Sequence, residues 1–167
     1  MKSSAQVLVR AARLADQDAL NEVEAVAWSA ESGFPSVMDR DQRDATFFDA
    51  DNPPEAFLVA ELNGSVVGYI RLKRPTKLPE GAHVMQVQGL AVHPDARRHG
   101  VAAGLLDAAE AALRERGIRK LTLRVLSTNR AAIGLYERHS FVREGTLLEE
   151  FCINGRFVDD VSMAKRL

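Results

Sequence analysis

Arg97-Arg98-His99-Gly100-Val101-Ala102 is the stretch whose reading decides the fold. It follows an apolar strand-like run, Leu90-Ala91-Val92, closed by His93-Pro94. It opens a helix predicted over Val101–Arg116, which Gly117 ends at the C′ position. The first turn of such a helix has amide N–H groups without intrahelical partners, and the helix dipole adds positive charge there. Gly100 has no Cβ to hold a ligand away, and Ala102 and Ala103 keep that turn open to a bulky anion. Arg97 and Arg98 add charge-assisted donors. Together these features read as a seat for a pyrophosphate. Arg-x-x-Gly-x-Ala alone is a weak motif, and an ordinary loop-to-helix junction with solvated arginines has the same letters. Other nucleotide folds share such a junction, but the patterns Gly-x-Gly-x-x-Gly and Gly-x-x-x-x-Gly-Lys-Ser/Thr are both absent.

Outward from this stretch the elements alternate. Val7–Arg10 is β-like, and Asp16–Trp28 repeats Leu20, Val23 and Ala27 at helical spacing. Residues 29–54 lose the pattern at Gly33, Pro35, Pro53 and Pro54, with a short helix expected around Asp41–Phe48. Phe57–Leu62 and Val66–Leu72 flank Asn63-Gly64, a hairpin turn because both residues tolerate positive φ. His83–Val92 is the next strand, expected to bulge near Gly89. Leu121–Leu126 reads as a strand and Asn129–His139 as a helix. Glu144–Ile153 and Arg156–Ala164 form a second hairpin about Asn154-Gly155. The order predicts an α/β fold: a mixed, mostly antiparallel central sheet flanked by helices, in a single domain over residues 1–167.

Composition narrows the partners. With a net charge of −1, no global field draws the chain to nucleic acid or an anionic membrane. Cys152 is the single cysteine, so no intramolecular disulfide can form; it lies on a predicted strand with no base nearby in sequence and reads as structural. The first residues lack the apolar stretch of a signal peptide, and no run reaches the length of a membrane span, so a cytoplasmic location is expected. His83, His93, His99 and His139 are scattered, and no metal site is expected.

Asn129 and Tyr136 stand seven residues apart, two turns along one helix face. Asn129 sits where an N-cap belongs, and its amide also suits a ligand amide. A tyrosine at Tyr136 reads either as a half-buried aromatic or as a phenol that stays protonated at neutral pH and can donate to a departing thiolate. Leu90–Pro94, Arg97–Gly117 and Asn129 through Tyr136 to Phe141 together resemble the GCN5-related N-acetyltransferase family, with weaker likeness in Val7–Asp18 and the Asn63-Gly64 hairpin. The ordered set covers nearly the whole chain except 29–54. The resemblance implies acetyl-CoA as donor, held by Leu90, Ala91 and Val92 along the pantetheine arm, by Arg97, Arg98, His99, Gly100, Val101, Ala102 and Ala103 at the pyrophosphate, and by Asn129. It implies Tyr136 as the proton donor to the CoA thiolate. Ser140 stands where that pattern has a glycine before Phe141.

The acceptor amine must lose a proton before it attacks. The family often places a carboxylate on the strand before the loop, but here that strand offers only His83, Gln86 and Gln88. Glu31, Glu80, Glu149 and Glu150 are alternatives that read first as solvated charges, and a water-mediated base is expected. A strand N–H near Leu90 would stabilise the oxyanion. The resemblance places specificity in 28–54 and 144–160. Trp28, Phe34, Phe47 and Phe48 either line an apolar pocket there or belong to the core. A small amine or amino acid is the expected acceptor. A protein N-terminus or lysine, or a non-catalytic acyl-CoA-binding regulator, are the rival readings. The resemblance points to a homodimer.

Overall fold

Asn63 and Gly64 adopt φ of 53° and 83°, and Asn154 and Gly155 adopt 50° and 76°. Two successive residues at positive φ make the tight turn whose twist matches paired strands, so each pair closes a hairpin. A computed structural model describes residues 6–38 and 46–167 of the chain. Its strands are β1 (Val7–Ala11), β2 (Phe57–Leu62), β3 (Ser65–Lys73), β4 (Val84–Val92), β5 (Lys120–Leu126), β6 (Val142–Ile153) and β7 (Arg156–Arg166). The helices are α1 (Gln17–Ala27), α2 (Pro35–Met38), α3 (Val101–Glu115) and α4 (Arg130–Arg138). The strands form one seven-stranded sheet in the order β1-β2-β3-β4-β5-β7-β6, parallel between β4 and β5 and antiparallel in the pairs β1–β2, β2–β3, β5–β7 and β6–β7. This is the mixed α/β architecture expected. Of the short helix expected around Asp41–Phe48, residues 41–45 lie outside the described residues, and 46–48 are not helical. α2 instead begins at Pro35, a residue suited to the first helical position. No described helix is long and apolar enough to cross a membrane.

The described residues fall into two compact units. The first holds those of 1–27, 41–72 and 89–111. In it β1, β2 and β3 pair antiparallel, with a register shift at Ala60/Glu61. α1 buries Leu20, Val23 and Ala27, and α3 buries Val101, Leu105, Leu106 and Ala109. Alternation puts Val7, Val9 and Gly68 on the sheet face that meets α3, where Val101 and Gly104 pack. Arg10, Phe57, Val59, Tyr69 and Arg71 take the opposite face, by their pairing register.

The approach to α1 is fixed by charge. Arg10 grips Asp16 with two bonds of 2.8 Å and reaches Glu61 at 2.7 Å, while the Arg13 N–H donates to Asp16 at 2.8 Å. The guanidinium of Arg10 holds the buried Asp16 carboxyl below its ordinary value of 3.8. A carboxyl with a lowered folded pKa contributes stability above its unfolded pKa and loses it as pH falls through the folded one. Asp16→Asn is therefore expected to cost about 2 kcal/mol at pH 7. Urea unfolding checks this. The gap between variant and wild type should shrink once pH falls below about 4, and a gap that stays constant down to pH 2 would refute the assignment.

The second unit holds the described residues of 28–40, 73–88 and 112–167. β5 pairs along its whole length with β7, from Lys120↔Arg166 to Leu126↔Asp160. β4 pairs with β5 only over Val84–Val87. The helix stop at Gly117 forms as read: its φ is 74°, its N–H bonds Arg114, and the Ile118 N–H reaches back to Leu113 at 3.0 Å. β6 breaks register between Arg143 and Gly145 and between Leu147 and Phe151. At the second break Glu149 has φ 50°, and its N–H donates to Asp159 Oδ1 at 2.8 Å.

Candidate active site

Within the first unit, the end of β4 delivers the chain to the loop. The His93 N–H donates to Val67 on β3 at 2.8 Å. Amides alternate sides along a strand, so those of Leu90 and Val92 point to the other edge of β4. His93 then caps the Pro94–Ala96 turn, its Nδ1 accepting from the Asp95 N–H at 3.2 Å. Buried Ala96 anchors that turn beneath four exposed residues, Arg97, Arg98, His99 and Gly100.

The loop has a particular backbone. Arg98 and Gly100 both lie at positive φ, 64° and 75°. The left-handed region suits glycine, and a bulky residue held there costs about 1–3 kcal/mol. Nothing in the sequence marks Arg98 for that conformation. Its effect is to turn the chain tightly over 97–100, from the extended Arg97 into the start of α3. Gly100 then leads into α3 with its carbonyl accepting from the Gly104 N–H at 2.9 Å. It has no side chain to cap the Val101, Ala102 and Ala103 amides, which are left for a ligand or for water. Val101 is fully buried and fixes the helix start, while Ala102 and Ala103 are half-buried.

The two arginines part company. The Arg97 guanidinium donates to the Ala27 carbonyl, the last of α1, at 2.7 Å. It caps a helix C-terminus, and that bond takes up part of the charge that the sequence assigned to phosphate. Arg98 stays exposed. His99 Nδ1 lies 2.9 Å from the Arg97 carbonyl, so that nitrogen carries the proton and braces the loop.

In the second unit, Asn129 is the N-cap of α4, its Oδ1 accepting from the Ala132 N–H at 3.2 Å. The capping role read from the sequence is real, and it leaves the Asn129 NH₂ as the donor end. Tyr136 is buried, and burial alone pushes its phenol up to about 12. It is held by the helix stop. Ser140 takes φ 66° in the place of a glycine, and its N–H bonds Glu137. The Phe141 N–H reaches back to Tyr136 at 3.0 Å, and the two rings meet edge to face at 5.7 Å. A Cβ is thus tolerated at that turn, and the stop keeps its geometry.

The carboxylates and the histidine suggested as bases are all solvated. Glu31 accepts from the Ser29 hydroxyl at 2.8 Å and Glu150 lies 3.5 Å from Arg124, while Glu80, Glu149 and the His83 ring are exposed. Nearby, the buried Asp160 carboxyl is raised by burial against the pull of Arg124, 2.5 Å away. Three of the aromatics read as pocket or core divide between the units. Phe34 meets Phe151 edge to face at 4.8 Å in the second, whereas Phe47 and Phe48 join Phe57 and Tyr69 in the first.

A polar group in the first unit was not singled out from the sequence. Glu24 on α1 accepts the Tyr69 hydroxyl at 2.5 Å, and Arg71 donates to Asn52 Oδ1 at 2.7 Å. Burial raises the Tyr69 phenol well above its ordinary value, reinforced by the Glu24 charge and opposed by Arg71. Gly89 serves this group. β4 runs unbroken through it, and a Cβ there would stand 3.3 Å from the Tyr69 ring. The signal available in sequence was Glu24 itself, beside Val23 and one turn from Leu20 and Ala27 on the buried flank of α1.

A model of the acetyltransferase (GNAT) family matches residues 20–141. An acetyltransferase of Yersinia pestis (strain Pestoides F) is 37% identical over 95 residues, 57% of this chain and 63% of that protein. The chain thus spans less than two thirds of that relative's length. Among solved structures, a ribosomal-protein-alanine N-acetyltransferase from Brucella melitensis superposes with a TM-score of 0.75 at 26% identity, covering 96% of this chain and 99% of that one. The yncA protein from Salmonella typhimurium, solved with its cofactor acetyl-CoA, gives 0.77 at 24% identity, covering 98% and 95%. At that identity the likeness is one of fold.

Proposed function

Because the chain belongs to the acetyltransferase (GNAT) family, we propose that it moves an acetyl group from acetyl-CoA to the primary amine of a small molecule or amino acid by direct attack. The observation that carries this reading is the 97–100 loop, with Arg98 and Gly100 at positive φ, running into the first turn of α3. A diphosphate there meets the amides of Val101, Ala102 and Ala103, the helix dipole and the exposed Arg98. Leu90 and Val92 turn amide groups to the β4 edge away from β3, where an extended pantetheine arm adds like a strand. The Leu90 N–H is the donor for the developing oxyanion. Asn129 offers its NH₂ group to a CoA amide, and Tyr136 donates its proton toward the sulfur as the C–S bond breaks. β4 supplies no carboxylate, so the amine's proton leaves through water or to a carboxylate on another element. All of residues 1–167 serve as one such domain, in the cytoplasm.

A protein N-terminus as acceptor is the second reading, favoured by the likeness to the Brucella melitensis enzyme. Titration calorimetry with acetyl-CoA, CoA and ADP tests the core of the proposal. Binding of acetyl-CoA in the micromolar range, followed by thiol release with an amine, is the expected result. A chain that binds none of the three is not an acetyl-CoA enzyme.

A further inference from the structure

In the second unit β7 carries a buried carboxylate with one oxygen left over. Asp160 pairs with Leu126 at the end of β5, and its side chain is only 6% exposed. Paired residues share a face and alternate residues return to it, so Asp160, Leu126, Arg124 and Ser162 lie on one face of these strands. Leu121, Leu123, Met163 and Lys165 take the other, where Lys165 reaches the Phe141 ring and Phe141 meets Tyr136. Arg124 meets Asp160 Oδ2 through both Nε and Nη2, at 2.5 Å. Oδ1 accepts no hydrogen bond among the described residues and keeps some contact with solvent. Arg124 and Glu150 beside it are 44% and 41% exposed, so this part of the face is open. Holding so exposed an arginine does not call for a buried carboxylate, because burying the charge brings a desolvation penalty that a surface partner avoids.

The surroundings suit an amine. Arg124 from β5 and Glu150 from β6 bear on Asp160, and the three sum to one negative charge, which favours an ammonium over an anion. Glu31 on the 28–38 segment is bonded to Ser29, and lower on the face Lys120 and Glu144 answer each other. Burial raises the Asp160 carboxyl above its ordinary 3.8, against Arg124 and with Glu150, which makes it a stronger base. Leu126, Ile153 and Val158 continue the face as an apolar cluster, with Phe34 and Phe151 packed on it. The pairing of β5 with β4 ends at Leu123, just before Arg124, so an extended arm can lie along the edge beyond.

We propose that Asp160 is the base for the acceptor amine, its Oδ1 receiving a proton from the ammonium while Arg124 holds Oδ2. The inference rests on the acetyltransferase reading and supplies the carboxylate that β4 lacks. The ammonium gives one proton to Oδ1, and the electron pair freed on nitrogen forms the bond to the thioester carbon. The C–S bond breaks as a second proton leaves nitrogen, and the sulfur ends protonated. Asp160 then returns its proton to water. Tyr136 and Asp160 stand on opposite faces of the same strands, so the sulfur's proton donor and the arriving amine do not compete for room. Arg124 is a positioning residue that sets the direction of the carboxylate.

The test follows thiol release at saturating acetyl-CoA, with benzylamine, the common L-amino acids and an alanine-headed peptide as acceptors. Asp160→Asn is expected to lower kcat/KM about 100-fold at pH 7 for whichever acceptor wild type uses fastest. That loss should shrink to within about threefold near pH 10, where much of the amine is neutral without help. Arg124→Gln should move the acid limb of the pH profile upward by about half a pH unit or more, because the carboxyl loses its cation. A merely structural Asp160 predicts the same loss at every pH. That result, or an Asp160→Asn rate within about fivefold of wild type at pH 7, overturns the proposal. If Asp160→Asn fails to fold, Arg124→Gln decides, and an acid limb that stays in place overturns it. Wild type that binds no acetyl-CoA, or releases thiol with none of these acceptors, sinks the transferase reading instead, so the two failures are distinct.

Discussion

Tyr136→Phe will lower kcat by about 100-fold or more while leaving the acetyl-CoA Kd within about twofold of wild type. The ring stays, so its edge-to-face contact with Phe141 and the packing of α4 survive. Only the hydroxyl is removed. Burial pushes that phenol up to about 12, and this bears on how it acts. A thiol of ordinary pKa near 8.5 makes a thiolate too weak a base to strip such a phenol, and full transfer would run uphill by about 5 kcal/mol. In the proposed mechanism, therefore, the phenol would lend its proton to the sulfur while the C–S bond stretches. The proton that finally resides on sulfur is matched by the one the amine nitrogen gives up. Because Tyr136 stays protonated to about pH 12, it adds no alkaline limb to the rate below about pH 10. The rate instead rises with pH as the acceptor loses its proton. Stopped assays of thiol release, paired with calorimetry, measure both quantities. A variant keeping a third of wild-type kcat would show that Tyr136 only packs.

Gly100→Glu is expected to weaken acetyl-CoA by about 100-fold, a loss of nearly 3 kcal/mol. The cause is not a clash within the protein, because a Cβ at Gly100 meets nothing within 4 Å. Two other penalties act. A φ of 75° disfavours any residue with a Cβ, by about 1–2 kcal/mol. The carboxylate would also stand against the diphosphate, and like charges a few ångströms apart at the surface cost about 1–4 kcal/mol. Gly100→Ala keeps only the first penalty and should lose about tenfold. Thermal unfolding separates these losses from a general loss of fold. If Gly100→Glu bound acetyl-CoA within threefold of wild type, the diphosphate would not sit on this loop.

Much of this was readable from letters. Asn63-Gly64, Asn154-Gly155 and Gly117 mark conformations that other residues seldom adopt, so the turns and the end of α3 could be placed to within a residue or two. Local chemistry likewise placed Asn129 at a helix cap. What escaped has a different origin. Arg98 at positive φ contradicts local preference and is imposed by the surrounding turn. Gly89 was read for its backbone alone, yet the Tyr69 ring on β3 also leaves little room there for a Cβ. The Glu24–Tyr69 bond joins residues 45 positions apart, and no periodicity reports such a meeting. Phe34 and Phe47 resembled each other as loop aromatics, but long-range contacts sent them to different clusters. The register breaks in β6 show the same limit, since Glu149 carries no turn letter and its place is held by Asp159 across the hairpin.

The bond from the Arg97 guanidinium to the Ala27 carbonyl spans 70 positions of sequence and fastens the loop to the end of α1. Glu24 hangs from α1 one turn earlier. Whatever quiets the loop also quiets that turn and, through the Glu24–Tyr69 bond, the face of β3 beneath it. An arginine that the sequence offered as one more phosphate contact is also a clasp that ties the loop to the first helix.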